Sequence, residues 1–339
     1  MKRENIFEVN NLQVSFKTSS TEVHAVRGVN FELKEQETLA IVGESGSGKS
    51  VTAQSTMKLI SQPPGQIKNG SVIYNGEDLL TQTEKYMSSI RGKEISMIFQ
   101  DPMSSLNPTL KVGRQIAETI IKHEKTGKEV AYKRAEELLG LVGIPNPKKR
   151  LKQYPHEFSG GMRQRIMIAI ALSCNPKVLI ADEPTTALDV TIQAQIMELL
   201  NDLQQKLNMS TIIITHDLGV VANMAHRVVV MYGGKVVETG TVDEVFYRPK
   251  HPYTWGLLSS IPELDSKGKR LIAIEGSPPN LANPPKGCPF APRCPHAMKI
   301  CVEKMPDTIS TSDTQKTSCW ILDERSPKVN VPKMARIEG

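Results

Sequence analysis

The sequence predicts an α/β protein: a mainly parallel sheet entered through a glycine-rich turn, preceded by antiparallel strands, interrupted by a helical insertion and followed by an irregular, cysteine-bearing extension. Three observations carry that prediction. Short β-branched apolar runs recur at Thr38–Val42, Val178–Ala181, Thr211–Thr215 and Val228–Met231, as in strands buried on both faces. Strand and helix patterns alternate from Val178 to Val242. The first apolar run leads straight into Gly43-Glu44-Ser45-Gly46-Ser47-Gly48-Lys49-Ser50.

Each element follows from its local pattern. Phe7-Glu8-Val9, Leu12–Phe16 and Val29–Leu33 alternate apolar and polar residues, which predicts half-exposed antiparallel strands. A helix is expected at about Ser50–Leu59 and further strand at Gly70–Tyr74. Residues 104–157 gain Glu, Lys and Ala, and apolar side chains return at helical spacing (Ile116, Ile120; Leu138, Leu139, Val142) until Pro145 and Pro147. That segment is expected to be a helical insertion. Beyond His251 the chain turns rich in Pro, Gly and Cys. The predicted division is therefore a first domain over 1–250 and an extension over 251–339, with 327–339 as a frayed tail.

Composition narrows the function classes. A chain of 339 residues accommodates two structural units at roughly 150 residues each. Apolar types make 39% and charged types 23%, a globular balance. The net charge of +6 is too weak to argue for nucleic acid, and 5% aromatics disfavour base-stacking platforms. No apolar run approaches the roughly 20 residues of a membrane helix. The stretch Met1–Glu8 lacks the apolar core of a signal peptide. The sequence is thus expected to act in the cytoplasm, with any membrane role reached through a partner.

The glycine-rich turn matches G-x-x-x-x-G-K-[ST] between a strand and a helix, the setting of a P-loop. Gly43, Glu44, Ser45, Gly46, Ser47, Gly48, Lys49, Ser50 and Val51 are the candidate ATP-binding residues. Backbone N–H groups would converge on phosphate, Lys49 would reach the β/γ-phosphates and the Ser50 hydroxyl would ligate Mg²⁺. A Gly/Ser turn with an incidental lysine is the bland alternative, and the flanking strand and helix argue against it. Val178–Asp182 is an apolar strand ending in Asp182-Glu183. Asp182 is placed to hold Mg²⁺, and Glu183 to orient or deprotonate an attacking water. His216 ends another buried strand and falls on the same carboxyl edge, where ligands bind in open α/β sheets.

Cys288, Cys294, Cys301 and Cys319 give C-x5-C-x6-C-x17-C. In a cytoplasmic protein such a group reads as a metal or cluster site rather than as disulfides. Structural zinc sites usually contain a close C-x2–4-C pair, and none occurs here. The spacing suits a larger cubane better, with zinc (His296 replacing one cysteine) and free thiols as the alternatives. Cys174, before Asn175-Pro176, is expected to be a buried packing residue.

Phe158-Ser159-Gly160-Gly161-Met162-Arg163-Gln164 lies just upstream of the Asp182-Glu183 strand. With it, the chain resembles the ATPases of ABC transporters over roughly residues 5–250. In that resemblance Ser159, Gly160 and Gly161 form the signature motif, Gln100 is the Q-loop glutamine and a further Mg²⁺ contact, and Ala187-Leu188-Asp189 is the D-loop with Asp189 at its end. His216 is the switch histidine, and Phe16 is the candidate aromatic for adenine. The resemblance implies a P-loop (RecA-like) ABC ATPase domain that pairs with a second ATPase subunit, so that each signature motif acts on the partner's ATP. The family's signature usually begins with Leu and ends with Gln where Phe158 and Met162 stand here; the phosphate-facing Ser159-Gly160-Gly161 is intact, so the motif is expected to be competent.

Tyr154-Pro155-His156-Glu157, Met167–Leu172, His251-Pro252-Tyr253-Thr254 and the stretch from Asn283 to His296 extend the resemblance to the ATPases of oligopeptide/dipeptide permeases, their D-type subunit above all. The family implies a bacterial importer with two transmembrane permease subunits, an F-type second ATPase, an extracytoplasmic peptide-binding protein acting indirectly, no nucleic acid, and a peripheral place on the cytoplasmic face of the membrane. It also implies a [4Fe–4S] cluster on the four cysteines. The helical insertion, beside Gln100 and Asp101–Pro108, would receive a cytoplasmic helix of the membrane subunit. Relatives importing nickel or other small solutes share the tail pattern. A soluble ABC ATPase of another class would carry a long coiled coil or two ATPase units, and neither is present in the sequence. A regulatory subunit that binds ATP without hydrolysing it is disfavoured by Glu183 and His216.

Overall fold

The computed structural model describes residues 4–101, 105–186, 188–260 and 274–330. Pro102 of the Gln100 segment, Ala187 of the predicted D-loop and positions 331–339 of the predicted tail lie outside the described residues. In chain order the strands are β1 (Asn5–Lys17), β2 (Glu22–Lys34), β3 (Thr38–Val42), β4 (Gly65–Tyr74), β5 (Glu77–Asp78) and β6 (Ile95–Ile98). They continue as β7 (Val178–Asp182), β8 (Ser210–Ile214), β9 (Arg227–Tyr232), β10 (Lys235–Thr241), β11 (Ile309–Ser310) and β12 (Lys316–Thr317). The chain divides into two compact units.

One unit comprises Asn5–Leu33, Thr38–Leu80 and Thr215–Gly339. Its antiparallel sheet runs β2-β1-β4-β5. Phe7–Val9 and Leu12–Phe16, which read as separate runs in the sequence, belong to the single strand β1. The inward set Phe7, Val9, Leu12, Val14 breaks phase because the register against β4 shifts between Asn10 and Gln13, where Asn11 adopts φ +46°. A bulge absorbs the two asparagines and returns Leu12 to the core.

In the same unit β3, buried along its length, pairs in parallel with β9, Val42 lying opposite Val230. β10 then returns antiparallel to β9. The parallel alternation predicted through Val242 therefore stops at β9, because Gly233 and Gly234, at φ +55° and +78°, turn the chain straight back. The helix expected at Ser50–Leu59 spans Lys49–Thr56 and ends where Lys58 takes φ +50°. The chain beyond His251 packs its apolar residues into the β3/β9/β10 core: Tyr253, Leu258, Cys288, Phe290, Ala291 and Cys301 are buried with Val42, Val230, Tyr232 and Val237.

The other unit comprises Met1–Glu4, Lys34–Glu37 and Thr81–Ile214. Here β6, β7 and β8 are parallel, with Ile98 opposite Ala181 and Asp182 opposite Ile214. The predicted helical insertion forms the helices Val112–Glu124, Lys128–Leu141 and Pro147–Arg150. Ile116, Ile120, Leu138, Leu139 and Val142 are all buried, as their spacing requires. The first two helices pack on each other and on the helix Gly160–Ala171. Cys174 is half-buried, not enclosed; its thiol points to the Thr119 carbonyl at 3.9 Å, and burial raises its pKa.

Candidate functional site

The P-loop leaves the buried end of β3 and enters the helix Lys49–Thr56 through Gly48, which takes φ +98° and offers no side-chain cap. Its first-turn N–H groups are therefore left for an anion. Gly43, at φ +151°, lies so close to β9 that a Cβ there would sit 2.2 Å from the Met231 carbonyl oxygen. A Cβ on Gly48 would sit 2.5 Å from the Ala25 carbonyl oxygen. Lys49 is buried, and its Nζ donates to the carbonyls of Gly43 at 2.7 Å and Glu44 at 3.0 Å. The ammonium is thus held across the loop it would share with phosphate. The Ser47 hydroxyl is buried with no hydrogen-bond partner, a polar group that a phosphate oxygen would satisfy. Ser45 and Gly46 are exposed at the mouth, and Ser50 and Val51 are half-buried behind it.

Glu44 is anchored from outside the loop, which the sequence did not reveal. Its N–H donates to the Tyr253 hydroxyl at 2.8 Å. Its carboxylate accepts a forked pair from Arg293, at 2.6 Å from Nη1 and 3.1 Å from Nη2. The carboxylate and the Tyr232 hydroxyl hold the guanidinium pKa well above its ordinary value. In the sequence Tyr253 and Arg293 stand within His251-Pro252-Tyr253-Thr254 and the stretch from Asn283 to His296, which carry the family resemblance but assign neither residue a role. Only their placement in space gives them one. Phe16 is half-buried at the end of β1, opposite Gly65. His216 is exposed, one residue past the Thr215 N–H that donates to the Ile41 carbonyl.

In the other unit Asp182 is buried at the end of β7, and Glu183 follows at φ +47°. That left-handed conformation is costly for a glutamate and re-aims the side chain away from the strand direction. Its N–H donates to the Ile214 carbonyl at 2.9 Å, fixing the turn. Oε2 of Glu183 accepts from the Gln100 amide at 2.9 Å and from the Thr186 hydroxyl at 2.8 Å. Gln100 and Glu183, 83 positions apart in sequence, are thus brought together. Thr186 was not foreseen.

Ser159 caps the helix Gly160–Ala171, accepting the Met162 N–H at 3.4 Å. Its exposed hydroxyl and the half-buried Gly160 and Gly161 form an open helix start. A Cβ on Gly161 would meet Ile192 at 2.7 Å, and one on Gly160 would meet Leu188 at 3.5 Å, so these glycines let the motif lie against the next helix. That helix, Val190–Leu207, is capped by Asp189, which accepts the Ile192 N–H. Phe158 is buried, with Arg150 over its ring at 5.5 Å, and the Met162 N–H donates to the Ser159 hydroxyl. The two departures from the usual signature therefore fall on a packing position and a backbone donor, not on the Ser-Gly-Gly face.

Cys288, Cys294, Cys301 and Cys319 line one pocket with His251, His296 and Trp320. All four are free, and Cys288, Cys301 and Cys319 are buried. Burial and the neighbouring thiols push Cys288 up to about 11 and Cys319 up to about 12, and burial raises Cys294. Gly287 allows the pocket's two segments to meet: a Cβ there would fall 2.1 Å from the Cys301 carbonyl. His251 accepts the Tyr253 N–H at Nδ1, so its proton rests on Nε2, which is buried without a partner. Among the described residues, no group of three or more His, Cys, Asp or Glu side chains is placed to hold a metal ion. No described helix is long and apolar enough to cross a membrane.

Residues 26–186 match the family model of ABC transporters, and residues 237–301 match that of the oligopeptide/dipeptide transporter C-terminal region. The oligopeptide transport ATP-binding protein OppD of Bacillus subtilis is 63% identical over 98% of this chain and 93% of its own length. The dipeptide transport ATP-binding protein DppD of the same organism is 55% identical over 95% and 96%. Salmonella typhimurium OppD is 54% identical over 89% of each chain. Among solved structures, a dimeric ATP-binding cassette in a post-hydrolysis state with ADP and Pi superposes with a TM-score of 0.63 at 27% identity, covering 70% of this chain and 98% of that one.

Proposed function

The chain belongs to the oligopeptide/dipeptide branch of the ABC transporter ATP-binding proteins, and on that premise we propose that it is the D-type ATPase subunit of a bacterial peptide importer. The observation that carries the ATPase assignment is the arrangement at Glu183: a carboxylate at a strained turn, its orientation held by Gln100 and Thr186. The P-loop N–H groups, Lys49 and the Ser47 hydroxyl bind the phosphates, and Phe16 stacks on adenine. The oxygen donors of Ser50, Asp182 and Gln100 suit Mg²⁺, which when bound offsets phosphate charge. Glu183 takes a proton from the attacking water, and His216 steadies the departing phosphate. Ser159, Gly160 and Gly161 serve the ATP of a second ATPase subunit, an F-type chain, and Asp189 lies at that contact.

On this reading the subunit sits on the cytoplasmic face of the membrane, bound to two permease subunits. The helical insertion beside Gln100 receives a cytoplasmic helix of one of them, and a peptide-binding protein delivers cargo from outside. Reconstitution with the permease pair and the F-type chain is the test. ATP hydrolysis should rise severalfold when peptide-loaded binding protein is added. A complex that assembles yet responds instead to nickel or a sugar would shift the cargo and leave the ATPase intact. Failure to co-purify with any permease subunit would favour a soluble ABC ATPase.

The four tail cysteines are proposed to hold a [4Fe–4S] cluster. Free thiols facing one pocket are the right donors, and the buried Nε2–H of His251 is a donor that a cluster sulfur would satisfy. Thiolates on a cubane sit on separate irons and stand farther apart than four ligands around one zinc. The spacing C-x5-C-x6-C-x17-C, without a close C-x2–4-C pair, favours the cluster over zinc. Bound there, the cluster supplies a structural cross-link. Anaerobic purification should give a brown protein with about four irons per chain, and Cys288→Ser should abolish the colour. A colourless, iron-free wild type would sink the cluster.

A further inference from the structure

Arg293 uses every donor it has. Its Nε donates to the Glu275 carbonyl at 2.8 Å. Nη1 donates to Glu44 at 2.6 Å and to the Tyr232 hydroxyl at 3.0 Å, and Nη2 to Glu44 at 3.1 Å and to the Ile274 carbonyl at 2.9 Å. That satisfies the guanidinium's five N–H groups in one geometry. The side chain is only 5% exposed, against 25% for the Glu44 carboxylate, so this pair is far better shielded than a surface ion pair.

The base from which Arg293 reaches is rigid. It ends the short turn Ala291–Arg293, directly after Phe290. The Phe290 ring packs at 5.3 Å from both Tyr232 and Tyr253. Tyr253 gives the loop its second hold through the Glu44 N–H. The far side of Glu44 faces the phosphate-binding residue, because its carbonyl accepts from Lys49 Nζ at 3.0 Å. The Glu44 peptide is thus gripped from the C-terminal segment on one side and grips Lys49 on the other. The bonds from Lys49 Nζ to the Gly43 and Glu44 carbonyls and from the Ser47 N–H to the Glu44 carbonyl stay within the loop.

We propose that Arg293 is a positioning residue for nucleotide binding: from the C-terminal segment it clamps Glu44 and presets the P-loop and Lys49 in their binding shape. The C-terminal segment is then a working part of the nucleotide site. This rests on the P-loop binding ATP, which the wild-type titration checks by itself. Because coupling is reciprocal, nucleotide must also steady the Arg293 segment.

The test uses the full chain, titrated with a fluorescent ATP analogue and Mg²⁺. Arg293→Met should weaken binding about tenfold, and Arg293→Lys, which cannot form the fork, should recover only part of it. Glu44→Gln should cost a similar factor, and the Arg293→Met/Glu44→Gln double variant should be no weaker than the worse single, since both remove one link. In the assembled transporter the loss should appear in KM, with kcat at saturating ATP within about twofold of wild type. Hydrogen exchange over residues 288–294 should slow on adding MgATP in wild type and not in Arg293→Met. Unchanged affinity in a folded Arg293→Met chain, or losses that add fully in the double variant, would overturn the proposal. If Arg293→Met does not fold, Tyr253→Phe decides, removing only the hydroxyl that holds the Glu44 N–H. It should weaken binding about threefold, and unchanged affinity there overturns the clamp. A wild type that fails to bind MgATP would instead remove the ATPase reading.

Discussion

Replacing Glu183 by Gln should reduce ATP turnover of the assembled transporter by about 10²–10⁴-fold, the range for loss of a positioned general base, while ATP affinity stays near wild type. The substitution keeps the side chain's shape. The Gln100 amide and the Thr186 hydroxyl, which both donate to one oxygen of Glu183, can still donate to the amide oxygen that remains. What disappears is the ability to accept a proton from water. The strained φ of +47° at this position remains in the variant, so stability should hardly move. Single-turnover hydrolysis and an equilibrium titration separate the two effects. Turnover within threefold of wild type would remove Glu183 from the role of base.

Alanine at Gly43 should destabilise the folded chain by about 3 kcal/mol or more and abolish nucleotide binding, whereas alanine at Gly46 should cost about 1 kcal/mol of stability. Both glycines have positive φ, +151° and +76°. Their surroundings separate them. At Gly43 the new Cβ would run into the Met231 carbonyl at 2.2 Å, and that oxygen belongs to the β9 backbone, which pairs with β3 and cannot yield. At Gly46 nothing lies within 4 Å, so only the intrinsic backbone penalty applies. Denaturant midpoints of the two variants without nucleotide measure the difference. Equal losses would mean that the loop is not wedged against β9.

Much of this was legible in the sequence because the relevant signals are local. The P-loop needs glycines at fixed offsets between a strand and a helix, and Gly43, Gly48 and Lys49 are placed as that pattern requires. Ser159 and Asp189 were singled out through the family resemblance, and both cap helices. The apolar spacing of Ile116 and Ile120 anticipated their burial. What escaped notice depends on contacts remote in sequence. Arg293 meets Glu44 across 249 positions, and no periodicity marks either residue. Strand continuity was misjudged at Asn10-Asn11 because a bulge resets the inward face and looks, in sequence, like a break. The reversal into β10 was signalled by Gly233-Gly234, a hairpin dipeptide lying inside what otherwise read as strand–helix alternation.

The central claim, that ATP hydrolysis at Glu183 powers peptide import, is tested most directly by uptake of a labelled oligopeptide in the native cells, comparing wild type with a chromosomal Glu183→Gln variant. Peptide uptake should fall to background while nickel and sugar uptake are preserved. Undiminished peptide uptake, with the variant protein present at wild-type levels, would contradict it.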